Sequence, residues 1–448
     1  MKVVKFGGSS VANAEQILKI IEIVRSDLDR KIVVVSAPGK RFRDDTKVTD
    51  LLIKLAKRVI EGNSYSNELE SIIDRYRSIQ EEIGFSQDII TEIKDDLKFR
   101  ILNRAPDNAQ FIDTMKASGE DNNAKLIALA FKHLDIPARY LCPGDAGLIL
   151  SNDFGNAKVL AKSYKNLEKL KSTSDVIIFP GFFGKTITGE VATFPRGGSD
   201  ITGAILAAAV KADVYENFTD VDSVYAMDPR LVNNSPAIDR MTYREMRELA
   251  YAGFGVFHDE AIVPAVQAGI PISIKNTNMP DAVGTQILPT REISQQEVIG
   301  ISSADGFSAI YIDKYMMNRE IGFGRKLLEI LESKKVSYEH IPSGIDNMSV
   351  ILHTNQLDGK EDDIIKMIRS DLCPDSVNVE HGLALIMVVG EGMRFAVGMA
   401  AKATQALANA AVNIEMVNQG ASEISMMFAV KADDRKKALN SLAEIFFK

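Results

Sequence analysis

The chemistry of this chain starts at Lys5. The opening reads MKVVKFGGSS: a short apolar run, a lysine within it, then a Gly-Gly pair and two serines. An ammonium beside the free N–H groups of a glycine turn is what a phosphate needs. The order is not that of a P-loop, whose lysine follows its glycines, nor that of a G-x-G-x-x-G dinucleotide fingerprint. Lys5, Gly7, Gly8, Ser9 and Ser10 are therefore read as a phosphate cradle of a different grammar. A second Gly-Gly pair stands in PRGGSDITGAILAAA (195–209). ITGAILAAA predicts a helix that Ser199 or Asp200 can cap. A helix N-terminus favours an anion, and Arg196 beside it can grip a carboxylate through two N–H bonds.

Three further stretches carry suitable groups. KASGEDNNAKLIALA (116–130) predicts a helix capped by Ser118, with Glu120 and Asp121 in its first turn, where acids complement the helix dipole. NFTDVDSVYAMDPR (217–230) reads as a strand ending in Thr219 and Asp220, followed by Tyr225 and Arg230. In a parallel α/β sheet, ligands bind at the carboxyl ends of strands. VVVSAPGK (33–40) places Ser36 at a strand end, and Thr49 opens the next helix.

These groups must be positioned by a sheet. Strands are expected in 31–38, 138–143, 175–184, 213–220 and 270–276. Short apolar runs separated by helices predict a mostly parallel sheet covered on both faces. Residues 47–104 read as a helical insert, and the polar stretch 288–297, which contains Pro289, marks a domain boundary. Beyond it lies an internal repeat. VSYEHIPSGIDNMSVIL (336–352) aligns with VNIEMVNQGASEISMMF (412–428), and at the same offset of 76 residues Gly322 falls on Gly398. Each copy reads strand–helix–strand–strand–helix. The first copy then has a fourth strand, 376–382, which the second lacks. The run 298–303 is expected to complete the second copy's sheet, so that the first module is inserted into the second. The expected domains are 1–290, then the strand 298–303, a first module at 305–382 and a second at 383–448.

Composition narrows the classes. The 46% hydrophobic and 25% charged content suits a globular protein in water. No apolar run approaches the roughly 18 residues of a membrane span, and no signal-peptide pattern opens the chain; a cytoplasmic protein is expected. A net charge of −8 argues against a nucleic-acid partner. Cys142 and Cys373 lack the spacing of a zinc site or disulfide framework.

KFGGSS, SGEDNNA, PRGGSD and TDVDSVYAMDPR, in that order before two repeated βαββαβ modules, closely resemble the monofunctional aspartate kinases (aspartokinases) over essentially the whole chain. The resemblance implies an α/β fold: an amino-acid-kinase-like three-layer αβα sandwich, then two ferredoxin-like ACT modules. It implies that Lys5 and the Gly7–Ser10 turn hold the transferring phosphate of ATP, with Mg2+ on the phosphates. Glu120 would bind the α-ammonium of L-aspartate, and Arg196 one of its carboxylates. Ser36, Thr49, Ser199 and Asp200 would line the pocket, Asp200 also orienting Lys5, while Thr219, Asp220, Tyr225 and Arg230 would hold the nucleotide. The product would be 4-phospho-L-aspartate, on the way to lysine, threonine and methionine. The resemblance also implies feedback by lysine, alone or with threonine, where ACT modules pair across a dimer or dimer of dimers. The glycine-flanked turn Gly322-Phe323-Gly324 could take an effector's carboxylate, facing a strand with Ser337, Tyr338 and Glu339; Asp346 lies in the following turn. The second module keeps Glu415 for Glu339 but has Ser422 for Asp346.

One departure stands out. The family often carries a lysine in G-x-K-V-x-H-P; here GFGVFHDEA (253–261) has Gly255 at that place and Asp259 at the proline. Lys275 is the cation considered as a substitute. His258 is not read as a general base, because the chemistry needs none. Two other readings stay open: a different enzyme of this fold, such as glutamate 5-kinase or acetylglutamate kinase, and a non-catalytic amino-acid sensor.

Overall fold

Val3, Val4 and Phe6 expose no surface, so the first strand, Lys2–Phe6, is buried on both faces at the centre of an eight-stranded sheet. The structure is a computed structural model and describes residues 1–251, 253, 259–292, 297–420 and 423–447. The chain divides into two units: Met1–Val224 with Ala237–Met246 and Val256–Arg291, and Tyr225–Pro236 with Arg247–Gly255 and Glu292–Lys448.

In the first unit the strand order is Ala138–Tyr140, Val176–Pro180, Arg30–Val35, Lys2–Phe6, Val214–Thr219, Ile272–Asn276, Thr285–Leu288 and Arg240–Thr242. The first six run parallel, and Thr285–Leu288 is antiparallel to its neighbour. Alternation along Lys2–Phe6 sends Val4 and Phe6 to one face and Lys5 to the other. Val4 and Phe6 pack with helix Ala14–Arg25, whose buried Ile17, Ile20, Ile21 and Val24 repeat at helical spacing. Asn13 starts that helix by accepting the Gln16 N–H at 3.0 Å. Helix Gly198–Val210 covers the other face; its small residues let it lie close to the sheet, and at Gly203 a Cβ would meet the Tyr215 hydroxyl at 2.5 Å.

The insert forms helices Val48–Ile60, Ser66–Ile83 and Ile89–Leu102. The next helix departs from expectation. It runs Asn108–His133 and is capped by Asp107, which accepts the Gln110 N–H at 2.8 Å. Ser118 is therefore not a cap but lies mid-helix, donating to the Met115 carbonyl at 2.6 Å. Gly119 does not break the helix. Its missing side chain is needed for contact, since a Cβ there would lie 2.9 Å from Ala37 Cβ. The apolar stretch 175–184 splits at Gly181 into Val176–Pro180 and Phe183–Thr186, the latter joining Ile149–Leu150 and Val191–Thr193 in a small second sheet.

The second unit contains a five-stranded antiparallel sheet ordered Asn347–His353, Gly300–Asp313, Ser376–Val389, Ser425–Lys431 and Met416–Asn418. Two strands serve both repeats. Ile301–Ser303 pair with Val388–Ile386, which pair with Met426–Phe428, while Phe307–Asp313 pair with Asn347–His353. Helices Phe323–Ser333 and Met399–Asn409 each follow a left-handed glycine, Gly322 (φ 82°) and Gly398 (φ 88°). The expected strand carrying Ser337, Tyr338 and Glu339 is reduced to a bridge between His340 and Ile351. Pro342 interrupts the ladder between two isolated bridges, having no N–H to give it; its counterpart is Asn418, which is in a strand. Among the described residues no helix is long and apolar enough to cross a membrane. Gly255, His258 and Ser422, and 293–296 of the expected boundary, lie outside the described residues, as does the Asp259 side chain.

Candidate active site

Lys5 Nζ lies 2.7 Å from Asp200 Oδ1. Lys5 is 7% exposed, on the central strand, and Asp200 is in the first turn of helix Gly198–Val210. Neither Ser199 nor Asp200 caps this helix, contrary to expectation. The N-cap is Gly197, left-handed at φ 76°, and the Asp200 carboxylate is committed to Lys5 and to Asn217 Nδ2 at 2.6 Å. The first N–H groups of the helix have no acceptor within it.

These groups open into a cavity of about 620 Å³. It brings together Lys5, Ser36, Thr49, Glu120, Arg196, Ser199 and Asp200. Glu120 is the notable one. It is 5% exposed, and among the described residues its Oε2 has no hydrogen-bond partner. Burial pushes its carboxyl up to about 8, opposed by the Ala37 and Glu120 N–H groups and by the Lys116 charge. Arg196 stands exposed at the rim with no hydrogen bond or ion pair among the described residues. A buried acceptor and a free guanidinium in one cavity suit a ligand with an ammonium and a carboxylate.

The glycine turn is held by backbone. Gly7 N–H donates to the Phe218 carbonyl at 3.2 Å, and Gly39 N–H to the Gly8 carbonyl at 2.8 Å. A Cβ on Gly39 would lie 2.5 Å from the Gly8 carbonyl carbon, so only glycine lets the two loops touch. Ser9 is exposed. Ser10 is buried, its hydroxyl 2.7 Å from that of Thr277, and it does not line the cavity. Thr219 ends its strand and donates to Asp220 at 3.2 Å. Tyr225 is half-buried in the segment grouped with the second unit, and Arg230 there is exposed and paired with Asp228 at 2.7 Å.

Lys47, Lys116, Phe182 and Asn217 escaped sequence reasoning. Lys47, Lys116 and Phe182 line the cavity; Lys116 pairs with Asp113 at 2.7 Å and donates to Thr193 at 2.9 Å. Lys275 lies on the opposite side of the sheet from Lys5, in a larger cavity of about 820 Å³ with Glu15, Lys19, Glu22 and Asn278. That cavity is larger, but it gathers none of the other candidate groups.

The effector candidates fall at two ends of one strand. Glu339 N–H donates to the Ile351 carbonyl at 2.7 Å, and its carboxylate meets Tyr251 and His353. Ser337 and the exposed Tyr338 precede it. Asp346 precedes Asn347 at the other end and accepts the Met316 N–H at 2.8 Å. The turn Gly322-Phe323-Gly324 lies at that end too, with Gly324 near Met348. A single chain thus separates the Gly322 turn and Asp346 from Ser337, Tyr338 and Glu339, because the strand between them is extended.

Residues 1–276 match the amino acid kinase family, and 386–446 match an ACT domain. Aspartokinase 3 of Bacillus subtilis (strain 168) is 55% identical over 449 residues, covering 100% of this chain and 99% of that protein. The chain belongs to the aspartokinase family. The aspartokinase fold extends through the whole chain: the crystal structure of Clostridium acetobutylicum aspartate kinase superposes with a TM-score of 0.90 at 39% identity, covering 100% of both chains. Escherichia coli aspartokinase III, at 25% identity and 100% coverage of both chains, matches in two structures. One, with aspartate and ADP, has a TM-score of 0.79; the other, with lysine and aspartate, 0.77.

Proposed function

We propose that this aspartokinase-family chain transfers the γ-phosphoryl group of ATP to the β-carboxylate of L-aspartate, giving 4-phospho-L-aspartate and ADP. The observation that carries the reading is the cavity that joins the Lys5–Asp200 pair to the unpartnered Glu120 oxygen and the free Arg196. The aspartate and ADP bound to the Escherichia coli relative support it.

The chemistry follows from charge. A free β-carboxylate, with a pKa of about 3.9, is already ionised at neutral pH, so no general base is required. A carboxylate oxygen forms a bond to the γ-phosphorus as the bridging bond to ADP breaks. The obstacle is bringing an anion to a polyanion, and positioning with charge neutralisation lowers it. Lys5 would meet the phosphate together with the N–H groups of the glycine turn other than those of Gly7 and Ser10, which the Phe218 and Gly7 carbonyls take. Glu120 would take the α-ammonium, Arg196 a carboxylate of aspartate, and Ser36, Thr49 and Ser199 would line the pocket. Thr219, Asp220, Tyr225 and Arg230 are assigned to the nucleotide.

Among the described residues no cluster of three or more His, Cys, Asp or Glu forms a metal cage. Mg2+ is commonly held by substrate phosphates and water with one or two carboxylates. Carried on ATP, the ion would neutralise phosphate charge.

The proposed organisation is a catalytic part at 1–290, a strand at 298–303 closing the second ACT module, and modules at 305–382 and 383–448. Lysine, alone or with threonine, is the proposed effector, acting on a cytoplasmic dimer or dimer of dimers; the lysine bound to the Escherichia coli relative supports the first choice. A hydroxamate assay with ATP and Mg2+ tests the reading. Aspartate should be trapped as its hydroxamate, and glutamate and N-acetylglutamate should not. Trapping of either of those instead, or of none of the three, would refute it.

A further inference from the structure

Asp200 Oδ1 meets two side chains: it is ion-paired with Lys5 Nζ at 2.7 Å and accepts a hydrogen bond from Asn217 Nδ2 at 2.6 Å. Lys5 and Asn217 are direct partners across the paired strands Lys2–Phe6 and Val214–Thr219. Tyr215, two residues earlier on the same face, donates its hydroxyl to the Asp200 backbone carbonyl at 3.2 Å. That hydroxyl sits in the notch left by Gly203. Burial pushes the Tyr215 hydroxyl well above its ordinary range, so it remains a donor. One strand face therefore holds the first helical turn twice, Tyr215 by its backbone and Asn217 by its carboxylate.

We propose that Asn217 is a positioning residue for phosphoryl transfer: its amide fixes the Asp200 carboxylate in the orientation that presents the Lys5 ammonium to the transferring phosphate. This rests on the kinase reading above. An aspartate side chain has several rotamers of similar energy. With Lys5 as its only tether, Asp200 and the ammonium could move together. A buried amide removes that freedom without adding charge. A second cation would compete for Asp200, and a second carboxylate would repel it. An ammonium has three donors, so an ion pair with Asp200 still leaves donors for phosphate oxygens. Donors held in place before the reaction cost no reorganisation during it.

The test compares wild type, Asn217→Leu and Asn217→Asp, measuring kcat, KM for aspartate and ATP, and Tm from about pH 6 to about pH 9. Asn217→Leu should lower kcat about tenfold or more at every pH, with both KM values within about twofold. The carboxyl introduced by Asn217→Asp abuts Asp200. Ionised, it cannot donate; protonated, it donates as the amide does. Its kcat relative to wild type should therefore rise as pH falls through the pair's shared titration. The groups facing it are Asp200, Lys5 and Tyr215; Glu216 lies on the other face, paired with Arg30. A ratio that is flat in pH for Asn217→Asp, or kcat losses that merely track lower Tm in both variants, would overturn the role. Wild-type turnover of aspartate is the control. Its absence would refute the kinase reading, and the role of Asn217 with it.

Discussion

Lys5 Nζ and Asp200 Oδ1 meet at 2.7 Å, one from the central strand and one from the first turn of the helix that covers it. The pair puts a positive charge at the cavity while its partner keeps it anchored. Lys5→Met should therefore lower turnover by more than about tenfold, the equivalent of about 1.4 kcal/mol in the barrier. Methionine adapts to the space of the lysine stem, and Asp200 keeps Asn217 as a donor, so circular dichroism should be unchanged. Turnover within tenfold of wild type would remove Lys5 from the chemistry.

Glu120 makes aspartate use depend on pH. Burial raises its carboxyl to about 8, so the free protein holds it protonated at neutral pH. An ammonium ligand wants the anion, and binding must release that proton. Apparent affinity for aspartate should rise with pH to about 8 and then level off, and Glu120→Gln should bind aspartate more weakly and flatten the slope. Stability of the unliganded protein has the opposite sign. The folded state holds a proton that the unfolded chain loses near its ordinary 4.5, so the contribution is fully present below that pH and lost as pH rises through about 8. Titration calorimetry and Tm across this range read both; equal aspartate affinity in Glu120→Gln and wild type would contradict the assignment.

Arg196 has no partner among the described residues, so removing it should cost little stability. Losing a charged hydrogen-bond partner for substrate costs roughly 1.5–3 kcal/mol. Arg196→Ala should accordingly raise KM for aspartate by about 10- to 100-fold while Tm stays put. Unchanged aspartate kinetics would make Arg196 a surface residue.

Lysine should inhibit wild type, and Glu339→Ala or Asp346→Ala should weaken that inhibition without lowering uninhibited turnover. An effector acts only through its differential affinity for two states. Since Glu339 and Asp346 lie at opposite ends of strand Asn347–His353, a site using both ends would draw on two modules. Lysine titrations of the three proteins decide this; no inhibition of wild type, or superimposable curves, would remove lysine from these residues.

The parallel core was legible because buried strands write continuous apolar runs, as in KIVVV. That Lys5, Arg196 and the second glycine pair share one cavity was legible because glycine pairs beside cations are rare enough to read. Asn217 was not, because its role comes from facing Lys5 across two paired strands, a register no local pattern states. Gly39 was missed for a similar reason: its contact is with Gly8, and a glycine in a loop looks like any turn. Ser118-Gly119 misled because a serine and a glycine mimic a helix start, while the working cap, Asp107, sat after Pro106. The strand carrying Ser337, Tyr338 and Glu339 read well by alignment with its repeat, but Pro342 withholds the N–H that Asn418 keeps, and only isolated bridges form.

The most direct measurement of the central claim is magnetic resonance of aspartate carbon-labelled at the β-carboxylate, incubated with the protein, ATP and Mg2+. The labelled carbon should shift and become coupled to phosphorus as ADP appears, and Lys5→Met should abolish both changes. ADP formation with no coupling at that carbon, or phosphorus joined to the α-carboxylate instead, would contradict it.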